Sequence, residues 1–271
     1  MDDAAPTQHL GDGTVLLDVT DHVATVTLHR PERLNAADAR MWSGLAEAMR
    51  ILAGSTDVRA VVLQGAGRAF CAGADLAAGA SAAGEDRHSE VDTMRRIGAV
   101  CLAVHELALP MVARVQGPAV GAGWNLALAC DLVVAARSAT FSQIFARRGL
   151  SVDFGGSWLL PRLVGLQRAK ELVLLAEMLD AEEAYRMGLV TRVVDDDRLD
   201  DEVAAVVRRL VAGPPIALAA SKRLLNAGPG SSLSQALEAE TFVQATNLRT
   251  HDVAEAFVAF VERRDPRFEG R

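Results

Sequence analysis

Cysteine is scarce in this 271-residue chain: Cys71, Cys101 and Cys130 stand far apart and form no C-x-x-C pair. That excludes a disulfide framework and a cysteine zinc site, and it suits a reducing compartment. A chain of this length buries enough apolar surface to fold without such staples. A basic excess is also missing, since 28 Lys and Arg stand against 35 Asp and Glu for a formal charge of -7. Nucleic-acid binders ordinarily carry a basic face, so that partner class is disfavoured. Long hydrophobic runs are absent too. The nearest, Leu126 to Ala136, is interrupted by Asp131 and falls short of the ~20 residues that span a membrane. The acidic, turn-rich start MDDAAPTQHLGDG reads as neither a signal peptide nor a transit peptide. Half the residues are hydrophobic and 23% are charged, which excludes disorder and predicts a soluble, cytoplasmic globular protein.

The first two-thirds of the chain alternate strand-like and helix-like patterns. Strands are predicted at His22 to His29, Val58 to Leu63, Met111 to Gln116 and Leu132 to Ala135, where β-branched residues gather. Helices are predicted at Ala36 to Ala53, ending at Gly54, at Ser89 to Leu109, stopped by Pro110, and at Ala122 to Cys130. Such alternation implies crossover connections and an α/β fold with mainly parallel pairing. After Leu166 the β-branched runs nearly stop, and six helical patterns follow between Gln167 and Arg263, broken most clearly at Gly213-Pro214-Pro215. The expected division is an α/β core over residues 1–200 and a helical segment over 201–271.

Three glycine-rich turns could carry chemistry: residues 70–76 (FCAGADL), 117–125 (GPAVGAGWN) and 149–156 (GLSVDFGG). Small residues that open a helix leave backbone N–H groups exposed, and an anion or a developing oxyanion can sit against them. Ala122 is placed to offer such an N–H. On spacing alone a tight turn packed on a strand is the simpler reading, and the glycines do not complete a dinucleotide fingerprint. Asp153 likewise has two readings. Before Gly-Gly and a helix it is most simply an N-cap. Beside Val152, Phe154 and Trp158 it is a carboxylate that desolvation would turn into a usable base. Asp75 and Asp131 read as structural. The six histidines are scattered, no G-x-S-x-G elbow exists, and no spacing suggests a metal site. His88 reads as part of a solvated loop. The run 262–267 (ERRDPR) reads as a solvated helix end that could reach a phosphate.

Taken together and in order, these segments resemble the crotonase (enoyl-CoA hydratase/isomerase) superfamily over nearly the whole chain. The resemblance runs from His29-Arg30-Pro31-Glu32-Arg33-Leu34-Asn35-Ala36 through Ala69 to Leu76, Gly121-Ala122-Gly123 and Leu126 to Asp131. It continues at Leu160 to Gly165, Ala184 to Val190 and Phe260 to Arg264. It implies a spiral of β-β-α turns with a helical C-terminal segment, assembled as a homotrimer or a dimer of trimers. It also implies an acyl-CoA substrate whose coenzyme A is part of the substrate, with no separate cofactor and no metal. The two backbone N–H groups that bind the thioester oxygen fall on Ala74 and Ala122. The segments contacting coenzyme A run from Arg33 through Ala36 and from Ala72 through Ala77, with Arg33, Leu34, Ala36, Ala72, Asp75, Leu76 and Ala77 as the expected contacts. Arg33 and Arg68 are candidate partners for phosphate or adenine, and Arg263 or Arg264 could reach a neighbouring subunit's ligand.

The chain departs from the hydratases of that family at both catalytic carboxylates. Asn125 stands where one glutamate is found, and Phe145 where the second is. Adding water across a double bond needs a group to activate the water and a proton source for the α-carbon, and neither an amide nor a phenyl ring supplies them. What remains is Asp153, whose position resembles the single catalytic aspartate of the 1,2-epoxyphenylacetyl-CoA isomerase branch and the nucleophile of the chlorobenzoyl-CoA dehalogenase branch. The expected activity is therefore enoyl-CoA double-bond isomerisation with Asp153 as acid and base. Hydration, hydrolysis and acyl-CoA binding without catalysis are the alternatives. The acyl pocket is expected to draw on residues 77–92 and on Trp124, Asn125, Phe145 and Trp158.

Overall fold

The computed structural model of the chain describes residues 6–76 and 90–271. Ten strands and ten helices are found there. Seven strands form one sheet in the order β1-β2-β3-β4-β5-β7-β10. β1 (Gln8–Leu10), β2 (Val15–Thr20) and β3 (Val23–Leu28) pair antiparallel, whereas β3, β4 (Ala60–Gly65), β5 (Met111–Val115), β7 (Leu132–Ala136) and β10 (Arg192–Val194) pair in parallel. A smaller sheet joins β6 (Pro118–Val120), β8 (Thr140–Ser142) and β9 (Leu179–Asp180).

The two sheets are threaded together. After β5 the chain enters the small sheet as β6 and then helix α3 (Ala122–Leu128); after β7 it enters as β8. Cys71, after β4, makes an isolated parallel bridge to Ala119 of β6. Each turn of the spiral thus lays one strand in each sheet, and the expected β-β-α spiral is what the pairing gives.

Helix α1 (Ala39–Ala53) starts where Asp38 accepts from the Met41 N–H at 3.0 Å and stops at Gly54. It buries Met41, Leu45, Ala48, Met49 and Leu52 at the spacing of one helical face. With α2 (Glu90–Glu106), α3 and α4 (Gly156–Val164) it encloses the main core, which contains Leu17, Leu28, Leu63, Phe70, Met111, Trp124 and Phe141. Helices α5 (Leu166–Leu175) and α6 (Ala181–Arg186) close the second third of the chain. The other face of the large sheet is covered by α7 (Leu199–Val211), whose Leu199, Val203, Val206 and Val207 pack on Ala60, Val62, Val112, Val134 and Ala136. Helices α8 (Pro215–Ala227) and α9 (Leu233–Asn247) bury no residue, and α10 (His251–Glu262) buries Asp252 and Ala259.

Three sequence expectations change. Asp153 is not the N-cap of α4: the cap is Gly155, and no side chain bonds there. Trp124 is fully buried in the core, its ring 5.4 Å from that of Phe141, and does not line a pocket. Strands β1, β2, β6, β8, β9 and β10 add to the predicted set. Among the described residues no single helix is long and apolar enough to cross a membrane.

Candidate active site

The segment around Ala74 runs between two neighbours. Cys71 donates to the Pro118 oxygen at 3.1 Å and accepts from the Val120 N–H at 2.9 Å. Two residues later, the Gly73 oxygen accepts from the Ala37 N–H at 2.8 Å, and Asp75 donates to the Ala37 oxygen at 2.9 Å. Those two bonds flank Ala74, so its own N–H and C=O face away from Ala37, as in any parallel bridge. Gly73 makes the crossing possible, with φ at +92°, and a Cβ there would lie 2.8 Å from the Val120 oxygen and 3.8 Å from the Ala122 nitrogen. The Ala74 strand and the start of α3 are therefore in contact.

Ala122 is the first residue of α3, after Gly121 at φ +56°. The first N–H groups of a helix have no intrahelical acceptor. Neither Ala74 nor Ala122 donates its N–H to a backbone acceptor among the described residues. The Phe145 ring closes one side, its Cζ at 3.6 Å from a Cβ position on Gly121.

The strip from Arg30 to Ala36 is shaped by Asn35, to which the sequence alone assigns no separate role. Asn35 is fully buried, accepts from the Arg30 N–H at 2.9 Å and donates to the Ala66 and Ala69 oxygens at 2.9 and 2.8 Å. It holds Leu34 and itself in left-handed conformations, with φ at +52° and +55°. Arg33 and Arg68 project to solvent, while Leu34, Ala36 and Ala72 are half-buried and Leu76 is exposed. Asp75 pairs with Arg30 at 2.9 Å, in keeping with its structural reading, and Asp131 accepts from Met111 N–H and Lys222, both at 2.7 Å. Arg264 is occupied within its own chain by Glu255 and Glu262. Ala77, His88 and most of the loop expected to line the acyl pocket lie outside the described residues.

The third turn presents Asp153. Its Oδ1 is buried without a hydrogen-bond partner, and burial pushes the carboxyl up from 3.8 to about 6 because desolvation disfavours the charged form. The next residue, Phe154, has φ at +45°, a strained position for a bulky side chain. It is buried, its ring lies 5.1 Å from that of Trp42, and its oxygen faces the Cys101 thiol at 3.4 Å. Trp158 is exposed, with the Arg162 guanidinium 3.9 Å over its ring and His105 edge-on at 5.3 Å. Behind this turn a cavity of about 1100 Å³ opens between α2, α4, α8 and α9, walled by Cys101, Leu102, Gly155, Trp158, Leu159 and Phe242 among others.

Asn125 and Phe145 bring no ionisable group to the site. Asn125 is fully buried, its Oδ1 accepting from Gln143 and its Nδ2 donating to the Asp153 backbone oxygen, both at 2.8 Å. Burial raises the thiols of Cys71 to about 12 and Cys101 to about 11, in the second case aided by Asp153, and raises Cys130 further. None of the three is therefore an activated nucleophile. Among the described residues no group of three or more His, Cys, Asp or Glu could hold a metal ion.

Comparison with known proteins identifies the family. The family model for enoyl-CoA hydratase/isomerase matches residues 18–271. The chain belongs to that family. A Rhodobacter capsulatus protein named as a probable enoyl-CoA hydratase is 41% identical over 258 residues, covering 95% of this chain and 98% of its own. The 1,2-epoxyphenylacetyl-CoA isomerase of Escherichia coli is 37% identical over 266 residues, covering 95% and 98%. A crystal structure of an enoyl-CoA hydratase from Polaromonas sp. JS666 superposes with a TM-score of 0.89 at 31% identity, covering 94% of this chain and 99% of that one. Membership in the enoyl-CoA hydratase/isomerase family fixes the fold and is consistent with an acyl-CoA substrate. It leaves the reaction open, because its relatives carry both names.

Proposed function

We propose that this enzyme isomerises an enoyl-CoA double bond, with Asp153 moving the proton and the Ala74 and Ala122 N–H groups binding the thioester oxygen. One observation carries the choice of reaction. Asp153 is a desolvated carboxylate with an unpartnered oxygen, while the neighbouring Asn125 and Phe145 cannot act as acid or base. One carboxylate suffices for isomerisation. It takes a proton from C2 of a 3-enoyl thioester, the electron pair moves toward the thioester oxygen, and the same proton returns at C4 to leave the 2-enoyl product. Composition is unchanged.

A carboxyl near 6 suits both halves of this cycle, being ionised at neutral pH and acidic enough to give the proton back. The two N–H groups matter because the dienolate places negative charge on an oxygen that is neutral in the ground state. Fixed donors then favour the charged state selectively. The exposed Arg33 and Arg68 suit the phosphates of coenzyme A. No cofactor beyond the substrate's own coenzyme A is called for.

Water addition is the second reading, supported by the name of the Rhodobacter capsulatus relative. Incubation with 3-enoyl-CoA and, separately, 2-enoyl-CoA separates the two, with Asp153→Asn alongside. Isomerisation converts the 3-enoyl substrate without mass change and stops in the variant. A gain of one water by the 2-enoyl substrate would overturn the proposal. Hydrolysis would release free coenzyme A, and binding without conversion of either substrate would indicate a non-catalytic acyl-CoA binder.

A further inference from the structure

We infer that Asn125, in the place of a hydratase glutamate, is a positioning residue: through its amide, itself held by Gln143, it fixes the backbone of Asp153 and keeps the Oδ1 of that carboxylate out of water. The inference rests on the reading of Asp153 as the proton carrier. Two donors converge on the Asp153 backbone oxygen, Gly156 N–H at 2.9 Å and Asn125 Nδ2 at 2.8 Å. With both bonds made, the peptide after Asp153 cannot rotate, and the strained Phe154 that follows is held in place.

Each link of this chain is buried. Asn125 and Gln143 are fully enclosed, and Gln143 Nε2 donates to Asn125 Oδ1 at 2.8 Å. Gln143 Oε1 has no partner, an arrangement that costs stability and gives the fold no reason of its own to choose an amide over an aliphatic residue. Its Nε2 determines which way the Asn125 amide faces, so that Nδ2, and not Oδ1, meets the Asp153 carbonyl. The pair is neutral, so it can fix the turn without adding charge beside the carboxylate. The other neighbours of the turn are the Cys101 thiol from α2 and the Trp42 ring from α1; the thiol is held protonated at neutral pH and the ring cannot titrate.

The test reads the Asp153 carboxyl directly, by carbon NMR titration of protein labelled at the aspartate carboxyl carbon and assigned with Asp153→Asn. Asn125→Ala frees the turn and admits water, and the Asp153 titration midpoint is expected to fall by about one pH unit or more. Gln143→Met keeps the volume, removes the orphaned oxygen and releases the Asn125 amide. It leaves Asn125 Oδ1 without its donor, and it is expected to shift the midpoint in the same direction. With 3-enoyl-CoA, Asn125→Ala is expected to lose roughly tenfold or more in kcat with little change in KM. An unmoved midpoint in Asn125→Ala overturns the inference, and if that variant does not fold, an unmoved midpoint in Gln143→Met does so. Retention of isomerase activity by Asp153→Asn would instead refute the proton-carrier reading, which the titration does not address.

Discussion

Gly156 and the side-chain amide of Asn125 compete for the same space. A Cβ on residue 156 would lie 2.5 Å from Asn125 Nδ2, 2.9 Å from its Oδ1 and 2.6 Å from Val152 Cγ2. Asn125 cannot retreat without breaking its bonds to Gln143 and Asp153. Gly156→Ala is therefore expected to destabilise the protein by about 1–3 kcal/mol and to depress activity with it. Gly98 in α2 is the control, exposed and with nothing within 4 Å of its Cβ position. There alanine should stabilise by about 0.5–1 kcal/mol. Paired denaturant titrations check both, and equal effects at the two sites would contradict the packing described.

Asp153 links stability to pH. Its carboxyl titrates near 3.8 when exposed and at about 6 in the fold. Between those values the folded state binds more protons than the unfolded one, so stability falls as pH rises through this window. Above it the penalty of a dry carboxylate is complete. Asp153→Asn removes the charge, and after allowance for partial exposure it should gain about 1–2 kcal/mol near pH 8 and nothing below about pH 4. The same group predicts that isomerase kcat/KM, which reports the free enzyme, falls on the acid side with a midpoint at about 6. Denaturant unfolding of both proteins across this range, beside the rate profile, is the measurement.

The N–H of Ala122 can be deleted with little damage to the helix that carries it. Proline is well tolerated at the first helical position, where the missing donor had no intrahelical acceptor. Ala122→Pro should thus retain α3 while losing one of two donors to the thioester oxygen. A roughly hundredfold drop in kcat is expected, with acyl-CoA affinity by calorimetry nearly unchanged. Substitution of the alanine methyl alone tests crowding and leaves the donor in place. A proline variant with near-parental kcat would remove Ala122 from the proposed oxygen site.

Sequence periodicity located most of what packs. The predicted helix at Ala36 to Ala53 is α1 shortened at its start, because Asp38 supplies the cap, and the helical patterns expected between Gln167 and Arg263 are met by α5 to α10. The small-sheet strands β6, β8 and β9 escaped because three residues or fewer carry no readable alternation. Strand β10 escaped for the same reason within a helical stretch. At the site, the residue pattern alone favoured a tight turn and a cap, and only the family resemblance singled out Ala74, Ala122 and Asp153, whereas roles that depend on distant partners did not show. Asn35 carries no role in the sequence until Ala66 and Ala69 are seen to accept from it. Gln143 gives no local signal at all, since its meaning lies in Asn125, eighteen residues away. Asp153 looked like a cap because caps are a local pattern, but Gly155 caps α4 and the Asp153 Oδ1 is buried without a partner.

The C-terminal helices predict assembly. Neither α8 nor α9 buries a residue in the single chain, yet a helix of ~12–15 residues is marginal in water without packing. Large apolar side chains stand exposed along this segment: Leu233, Leu237 and Phe242 on α9, and Phe257, Phe260 at 83% and Val261 at 80% on α10. So many exposed in one segment of a chain are normally covered by a partner. A homotrimer or a dimer of trimers is the proposed state, and sedimentation velocity should give three or six times the chain mass. Phe260→Glu with Val261→Glu places two charges where the partner would lie, and should shift the sediment toward monomer with loss of helical signal from α9. If the parent protein sediments as a monomer with full helical content, these faces are not assembly surfaces.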